Sequence, residues 1–314
     1  MKQGNLEERV LSRSVLKHIG KANKDVHQKA AVGQDFAEIG GMVSADGMHE
    51  DPFLAWTKAR NNFACSGGAV VSARLLCLLP ADTEEPEIKA FMACFEKQAA
   101  REQIQIAGGQ TVIDLGVSAP RFYVTLLGTT DNYRQREKEI KPGFSIVMTK
   151  ETGLLGTNLL LQKQRDRLEE HFSKLYLSTA GFAEDAYSIL PEARAAAVEN
   201  KVYYMHDVSA GGVYSALWQM SVRMKKGIRI YHADIPIRQE TIEICEYFNR
   251  NPYLIDGTGS LLCVCEDGQA LCDMLHKQGI CATEIGQVAD NQDKVIVVGE
   301  DTRYLTLPEG NYDI

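Results

Sequence analysis

Apolar positions in the first half of the chain change repeatedly between strand-like and helix-like spacing. The clearest helix is predicted after Asp82 and Thr83, with Pro86 in its first turn. Its apolar face consists of Ile88, Phe91, Met92, Phe95 and Ala99. Alternation, β-branched content and paired glycines predict the remaining elements. They are an amphipathic helix within the first 20 residues, strands at 37–45, 72–80 and 121–128, a helix at 56–68 and a short strand leading into 107–111.

The second half of the chain shows the same mixture of patterns. Short apolar runs predict strands at 144–150, 202–205, 260–266 and 294–299. Helical spacing predicts helices at 156–176, 192–200, 239–249 and 269–278, and one more after Gly212. Gly279 directly follows the last of these helices, in the position where glycine commonly ends a helix.

A polar segment without apolar periodicity, TTDNYRQREKEIKP at 129–142, lies near the middle of the chain. A chain of 314 residues is about twice the usual domain size, so two domains are expected. The boundary is placed in this segment, which predicts domains at 1–135 and 136–314. The predicted elements place helices and strands in both halves of the chain.

Composition restricts the classes of function. The apolar and charged fractions are 45% and 24%, as in ordinary globular proteins, and no apolar run approaches the roughly 20 residues that span a bilayer. The polar start predicts no secretory signal, so a cytoplasmic protein without membrane contact is expected. A net charge of −8 argues against nucleic acid as the main partner. The eight cysteines lie mostly in apolar stretches and form no CxxC pair, which indicates reduced core residues.

The strongest local signal for a binding site is HDVSAGG at 206–212, directly before an amphipathic helix. It contains Asp207 and the glycines Gly211 and Gly212. Such a helix start presents backbone N–H groups and the positive end of the helix dipole, and glycine lets an anion approach closely. The alternative interpretation is an ordinary N-cap with glycines that relieve crowding. The phosphate-binding patterns GxxxxGKS and GxxxxGKT occur nowhere in the chain.

Small polar or acidic residues also end apolar segments in the first half of the chain. They are Asp35, Asp46, Asn61, Asn62, Gly108, Gly109, Gln110 and Thr111. Oxygen donors of this kind suit magnesium, which takes one or two carboxylates and completes its shell with water and phosphate oxygens. Each residue taken alone is more typical of a cap or a turn, so the hypothesis depends on the combination.

The order of these motifs resembles the AIR synthase-related superfamily along nearly the whole chain. The series is VGQDFAEIG, VSADG, NNFACSGG, AGGQT, VTLLG, KPGFSIVMT, HDVSAGG, DGTGSLLCV and EIGQV. The superfamily includes phosphoribosylformylglycinamidine cyclo-ligase, selenophosphate synthetase, thiamine-monophosphate kinase and the hydrogenase maturation protein HypE. The segments LEERVLSRSVLKHI and IPIRQETIEICEYFNRNPYLIDGTGSLL are most similar to the HypE branch.

The resemblance implies the α+β fold class, with a two-domain AIR synthase-like (PurM-like) fold. An amino-terminal α/β domain would dimerise, so that strands of two chains form a barrel, and a carboxy-terminal α/β sandwich domain would follow. ATP would lie in a cleft at the interface, with magnesium held by acidic residues of the first domain. An amide or similar oxygen of a small-molecule substrate would attack the γ-phosphate. The expected partners are therefore a second copy of the chain and this substrate.

The resemblance also assigns roles to individual residues. Asp35 and Asp46 are expected to hold magnesium, with help from Asn61 and Asn62. Phosphate contacts are expected from Gly108, Gly109, Gln110 and Thr111. The cleft is expected to be lined from the second domain by Asp207, Gly211 and Gly212. No nucleophilic side chain stands out, which suits a reaction that relies on positioning and charge stabilisation.

Several positions depart from the superfamily pattern. Two adjacent acids are usual where this chain has Gln34 and Asp35, and Asn-Asp is usual where it has Asn61 and Asn62. The usual GGHTE reads GGQTV here. These changes keep oxygen donors but remove negative charge, which weakens magnesium binding. HypE also ends in a cysteine that carries the substrate group, whereas this sequence ends in EGNYDI, so no reaction on its own tail is expected.

These residues are consistent with two functions from different classes. The first is an ATP-dependent enzyme that phosphorylates an oxygen of a small substrate, which the retained Asp46, Asp207 and glycine motifs favour. The second is a non-catalytic homodimer that binds a nucleotide or another ligand, which the lost acids favour. Reuse of the pocket for a different anionic metabolite is a third possibility.

Overall fold

The computed structural model of the protein describes residues 6, 8–19, 23–26, 30–130 and 135–306. These residues divide into two compact units. The smaller unit contains the described residues within 22–29 and 35–134, and the larger unit contains those within 1–21, 30–34 and 135–314. The predicted domains, 1–135 and 136–314, differ from these units near the amino terminus, and their predicted roles stay predictions. The tail EGNYDI lies outside the described residues.

Helices and strands alternate along the described chain. The strands are β1 (Phe36–Ile39), β2 (Met42–His49), β3 (Ala69–Leu79), β4 (Gln105–Ile113), β5 (Arg121–Thr129), β6 (Ser145–Thr149), β7 (Val202–Val208), β8 (Ile228–Tyr231), β9 (Ser260–Cys265), β10 (Ala282–Val288), β11 (Lys294–Val298) and β12 (Asp301–Tyr304). The helices are α1 (Glu8–Ser14), α2 (Pro52–Ala64), α3 (Glu85–Glu102), α4 (Leu154–Lys163), α5 (Arg165–Glu169), α6 (Lys174–Thr179), α7 (Leu190–Ala197), α8 (Gly212–Met224), α9 (Gln239–Tyr247) and α10 (Gly268–Lys277). None of these helices, within the described part of the chain, is long and apolar enough to cross a membrane.

The smaller unit is a five-stranded sheet with α2 and α3 on one face. The strand order is β1-β2-β5-β3-β4, and only β3 and β4 run parallel to each other. Helix α2 lies so close to β2 that a Cβ atom on Gly47 would come within 2.4 Å of the Ala55 carbonyl oxygen. On α3, Phe91 and Phe95 pack edge-on against Phe122 of β5, with ring centroids 5.0 and 5.6 Å away. The core of this unit therefore lies between the helices and one sheet face.

Two predicted elements of the smaller unit differ from the structure. The segment 37–45, predicted as one strand, forms parts of β1 and β2 and the tight turn between them. Gly40 and Gly41 make this turn with φ of 56° and 85°, a conformation that glycine adopts without strain. Helix α2 begins at Pro52 rather than Trp56, because the side chain of Asp51 caps it from outside.

The larger unit is a seven-stranded sheet in the order β12-β11-β8-β10-β6-β9-β7. Strands β8 and β11 are parallel, and the other neighbours are antiparallel. Helix α8 buries Val213, Leu217 and Met220 completely in the same core as residues of this sheet, which confirms the predicted helical face. Strands β6, β7, β9 and β11 confirm predictions, whereas β8, β10 and β12 are absent from the sequence prediction.

The helix predicted at 156–176 is three shorter helices, α4, α5 and α6. Helix α4 starts at Leu154, after Gly153 in the left-handed conformation with φ of 75°. Gln164, with φ of −119°, separates α4 from α5. Helix α6 then begins with its own cap, because the Ser173 hydroxyl accepts a hydrogen bond from the Tyr176 N–H group at 3.2 Å. Each of the three helices still buries leucine, so the apolar spacing continues along the whole segment. The spacing alone therefore does not show where one helix ends and the next begins.

All eight cysteines are free thiols, and six of them are buried, which confirms their interpretation as reduced core residues. Cys94 is only half-buried and Cys281 is exposed. Cys263 and Cys265, predicted to share one face of a strand, are both buried in β9. Burial raises the pKa of the Cys265 thiol to about 12, so it stays protonated at neutral pH.

Candidate functional site

The uncovered face of the five-stranded sheet carries a depression of about 670 Å³. Its lining comes from all four strands β2, β5, β3 and β4. The polar lining residues are Asp46, Arg74, Gln110, Tyr123 and Thr125. The depression lies entirely within the smaller unit. It therefore brings together two segments that the sequence assigned separately to a nucleotide site, VSADG and AGGQT.

The strand register arranges the side chains of this face in rows. Thr125 of β5 lies directly between Asp46 of β2 and Arg74 of β3. The next row is apolar and consists of Met48, Tyr123 and Leu76 in the same strand order. These three side chains are 54%, 37% and 38% exposed, although residues of their size and character are usually covered. A charged row and an apolar row thus lie side by side across the sheet.

Asp46 is held by two hydrogen bonds from different elements. The Thr125 hydroxyl donates to Asp46 Oδ1 at 2.6 Å. The side-chain amide of Asn62 donates to the Asp46 backbone carbonyl oxygen at 2.8 Å. The structure therefore places the Asn62 side chain at the backbone of Asp46, and the predicted roles of both residues stay predictions. Asn61, the neighbouring predicted residue, is 1% exposed within α2 and does not line the depression.

The segment AGGQT is part of strand β4 rather than the loop that follows a strand. One extra residue, Ala107, sits opposite the bond between Ala73 and Arg74 and forms a β-bulge. A Cβ atom on Gly109 would lie only 1.8 Å from the Leu75 carbonyl oxygen, so the two strands need glycine there. At Gly108 the same position is open, with nothing within 4 Å.

The four predicted phosphate ligands of this segment do not share one environment. Gly109 and Gln110 line the depression. The side chain of Thr111 instead hydrogen-bonds Cys77, a buried residue of β3. Burial raises the pKa of that thiol, and the hydrogen bond from Thr111 opposes the increase. The predicted phosphate contacts of all four residues stay predictions.

The predicted residues of the larger unit lie where β7 leads into α8. Asp207, near the end of β7, is 4% exposed, and Gly211 and Gly212 have φ of 86° and 65°. The Gly212 N–H group donates to Ser209 O at 3.0 Å. A Cβ atom on Gly212 would lie 2.4 Å from the Tyr253 carbonyl oxygen. At Gly212 the contacts thus support the packing interpretation of the glycines, and anion binding at this helix start stays a prediction.

Asp35, the second predicted magnesium ligand, directly precedes β1 and is half-buried. Its neighbour Gln34 is also half-buried, and both residues have interactions within the protein. The predicted metal-binding role of Asp35 stays a prediction.

Sequence analysis missed several residues that line the depression. Arg74, Tyr123 and Thr125 appeared only as strand residues, and Met48 was not singled out. A signal for Arg74 was present, because it is the one charged residue in the apolar strand SARLLCLLP. Period-two alternation places it on the face opposite Ala73 and Leu75. The alternation alone does not show which face of the sheet the helices cover.

Comparisons with known proteins match both units of the chain. A profile of the family described as AIR synthase related protein, C-terminal domain, matches residues 141–299. A putative hydrogenase expression/formation protein of Methanocaldococcus jannaschii is 22% identical over 266 residues, which cover 82% of this chain and 76% of that protein. The crystal structure of E. coli HypE, a hydrogenase maturation protein, has a TM-score of 0.73 and 16% identity, covering 96% of this chain and 97% of that one. HypE in complex with ATP has a TM-score of 0.71 and 17% identity, covering 96% and 94%.

Proposed function

Because the chain belongs to the AIR synthase-related family, we propose that it is a HypE-like, ATP-dependent enzyme that phosphorylates an oxygen of a small substrate. The predicted two-domain AIR synthase-like fold is confirmed by the similarity to HypE over 96% of the chain. ATP as the ligand is supported by a similar structure that contains it. The name of the M. jannaschii relative supports hydrogenase maturation as the process in which this reaction takes part.

The observation that carries this proposal is the convergence of separate motifs on one depression. Asp46 on β2 and Gly109 and Gln110 on β4 are far apart in sequence, yet they line the same space. Asn62, a further predicted residue, fixes the backbone of Asp46 from α2. The volume of about 670 Å³ is within the usual range for small-ligand pockets.

Magnesium, which the resemblance implies, fits this donor set as an ion held largely by the nucleotide and by water. Asp46 supplies one carboxylate, one oxygen of which already accepts from Thr125. Magnesium commonly uses one or two protein carboxylates together with substrate phosphates. Asp46 would therefore hold the ion, with Asp35 as the second predicted ligand. The ion would supply neutralisation of charge on the phosphate oxygens during transfer.

We further propose that two copies associate through the smaller unit. The uncovered sheet face supports this, because Met48, Leu76 and Tyr123 form an exposed apolar row on it. A C2 interface uses the same patch on both copies, and this apolar row, rather than the charged row beside it, would supply the contacts. The predicted barrel of strands from two chains stays part of this proposal.

The second candidate function is a non-catalytic dimer that binds a nucleotide or another anionic metabolite. The observation that favours it is the amide at Asn62, which donates to a backbone carbonyl and offers no negative charge. Gln110, in the same depression, likewise provides an amide where the family pattern has histidine.

Calorimetric titration of the full chain with ATP and magnesium tests the proposed function. We expect binding in the micromolar range or tighter, and a loss of about tenfold or more in Asp46→Asn, because removing a carboxylate weakens ion binding. Asp82→Asn is the matched control, since Asp82 is an exposed acid of the same unit outside the depression. An assay of phosphate release then separates the candidates. ATP binding without phosphate release for any amide substrate supports the non-catalytic dimer, and absence of ATP binding refutes both nucleotide proposals.

A further inference from the structure

Arg74 is a cation in the centre of the candidate site to which no role has been assigned. It lies on β3, between β5 and β4, and its side chain is exposed on the uncovered face. It lines the depression together with Asp46 and Gln110. Among the described residues, no ion pair or side-chain hydrogen bond involves its guanidinium. The five N–H donors of this group are thus available to a ligand.

The charges that face the depression differ from those of a site organised around a metal ion alone. Asp46 contributes one formal negative charge and Arg74 one formal positive charge, and the other polar lining residues, Gln110, Tyr123 and Thr125, carry no formal charge. A magnesium ion is attracted by an excess of carboxylates. Here the formal charge of the lining sums to zero. The depression therefore offers direct electrostatic attraction to an anion in addition to a ligand for a cation.

The two charges are spaced so that one extended ligand can reach both. Asp46 and Arg74 flank Thr125 on neighbouring strands, which places their Cα atoms roughly 10 Å apart at about 4.8 Å per strand. Both side chains project from the same face. A polyphosphate chain can thus present one phosphate to the metal at Asp46 and another to the guanidinium.

The backbone beside Arg74 leaves room for such a ligand. Gly108 of β4 is the register partner of Arg74, and nothing lies within 4 Å of the position its Cβ would occupy. The β-bulge at Ala107 lies next to this pair. Bulges often occur beside binding sites, where they redirect side chains. A phosphate group at Arg74 would therefore meet bare backbone on one side rather than a side chain.

We propose that Arg74 is a direct ligand of the phosphate groups of a nucleoside triphosphate and supplies part of the charge neutralisation that magnesium otherwise provides. This inference rests on the proposed ATP site. Guanidinium binds phosphate through paired, charge-assisted hydrogen bonds that a lysine cannot reproduce. The consequence is that ATP binding keeps a substantial part of its affinity when magnesium is absent, despite the amides at Asn62 and Gln110.

The test is calorimetric titration of the full chain with ATP, once with magnesium and once with EDTA. Wild type is expected to bind ATP in both solutions. Arg74→Ala is expected to weaken binding in EDTA by about ten- to a hundredfold, the range for hydrogen bonds to charged groups. Arg74→Lys should fall between the two. Arg101→Ala is the matched control, because Arg101 is an exposed arginine on α3 of the same unit, and it should bind like wild type. Circular dichroism verifies that each variant is folded.

Three results overturn the role of Arg74. The first is ATP binding by wild type only when magnesium is present, and the second is an unchanged ATP affinity of Arg74→Ala in EDTA. The third is a change in the monomer–dimer equilibrium of Arg74→Ala without a change in nucleotide affinity, which would make Arg74 an interface residue. Failure of ATP to bind in either solution refutes the proposed function instead. Titration with inorganic tripolyphosphate then tests the role of Arg74 separately. If wild type binds tripolyphosphate and Arg74→Ala does not, the phosphate-binding role of Arg74 is retained. If wild type does not bind tripolyphosphate, that role is overturned.

Discussion

Replacing Lys150 by methionine is expected to destabilise the larger unit strongly. Lys150 Nζ lies 2.6 Å from Glu192 Oε1 and donates to the carbonyl oxygens of Ala186, Ser188 and Gly259 at 3.0, 2.6 and 2.8 Å. A single ammonium group, on the residue that follows β6, therefore contacts α7 and two connecting segments. Methionine has a similar length but no charge and no donor, so every one of these interactions is lost.

The size of the effect follows from the burial of the two partners. The side chain of Glu192 is 2% exposed, so its carboxylate would be left without its counter-charge in a medium of low polarity. Breaking a buried ion pair by removing one partner costs about 3–5 kcal/mol. The Lys150 side chain is 22% exposed, and water can take its place in part. We therefore expect a loss near the lower limit, about 3 kcal/mol.

Urea unfolding with a unit-specific probe measures this loss. The chain has two tryptophans, Trp56 in the smaller unit and Trp218 in the larger unit. In a Trp56→Phe background, fluorescence reports the larger unit alone. The double variant Lys150→Met with Glu192→Met removes both charges and should recover much of the stability, because an apolar pair replaces the uncompensated carboxylate. A loss below about 1 kcal/mol in the single variant, or no recovery in the double variant, would refute the reasoning.

Two further predictions concern the strand contact at Gly109 and the buried thiols. Gly109→Ala is expected to destabilise the smaller unit by roughly 1–3 kcal/mol more than Gly108→Ala in calorimetric melting. Both glycines have φ near 150°, but only a Cβ atom on Gly109 would lie 1.8 Å from a backbone oxygen. Equal effects of the two substitutions would contradict this prediction. Iodoacetamide at pH 8 should label exposed Cys281 but not Cys265 or Cys272, whose pKa values burial raises to about 12 and 11. Since folding keeps these two thiols neutral, the free energy of unfolding should fall as the pH rises above about 9. Mass spectrometry that finds either thiol labelled in the native protein at pH 8 would contradict their assignment as buried, protonated groups.

Much of the fold could be predicted because burial imposes periodicity on the sequence. The buried face of α8, formed by Val213, Leu217 and Met220, repeats at helical intervals, and fully buried β9 is a continuous apolar run. Strand β8 has only four residues, and β10 contains Thr283, Glu284 and Gln287. Their pairing with neighbours in the sheet stabilises them, which is information that a local pattern does not contain.

The candidate site was predictable only in part, for a related physical reason. Asp46 and Gln110 stood out through their chemistry and motifs, and they line one depression. Arg74 could be assigned to a strand face, but a binding residue was not distinguishable from a solvent-exposed one without knowing that α2 and α3 cover the opposite face. Gly212 is the opposite case, a predicted binding residue that packing also explains. A glycine that would let an anion approach also allows the close contact with the Tyr253 backbone seen here.

Strand β4 forms an edge of its sheet within the described smaller unit, so its outer amide and carbonyl groups could recruit stray chains into aggregates. The irregularity at Ala107 and the unusual torsions of Gly108 and Gly109 interrupt the regular spacing that an incoming strand would need. The bulged segment beside the depression is therefore also expected to oppose uncontrolled self-association through this edge. Sequence changes that make this segment more regular would be expected to lower solubility before they lower affinity.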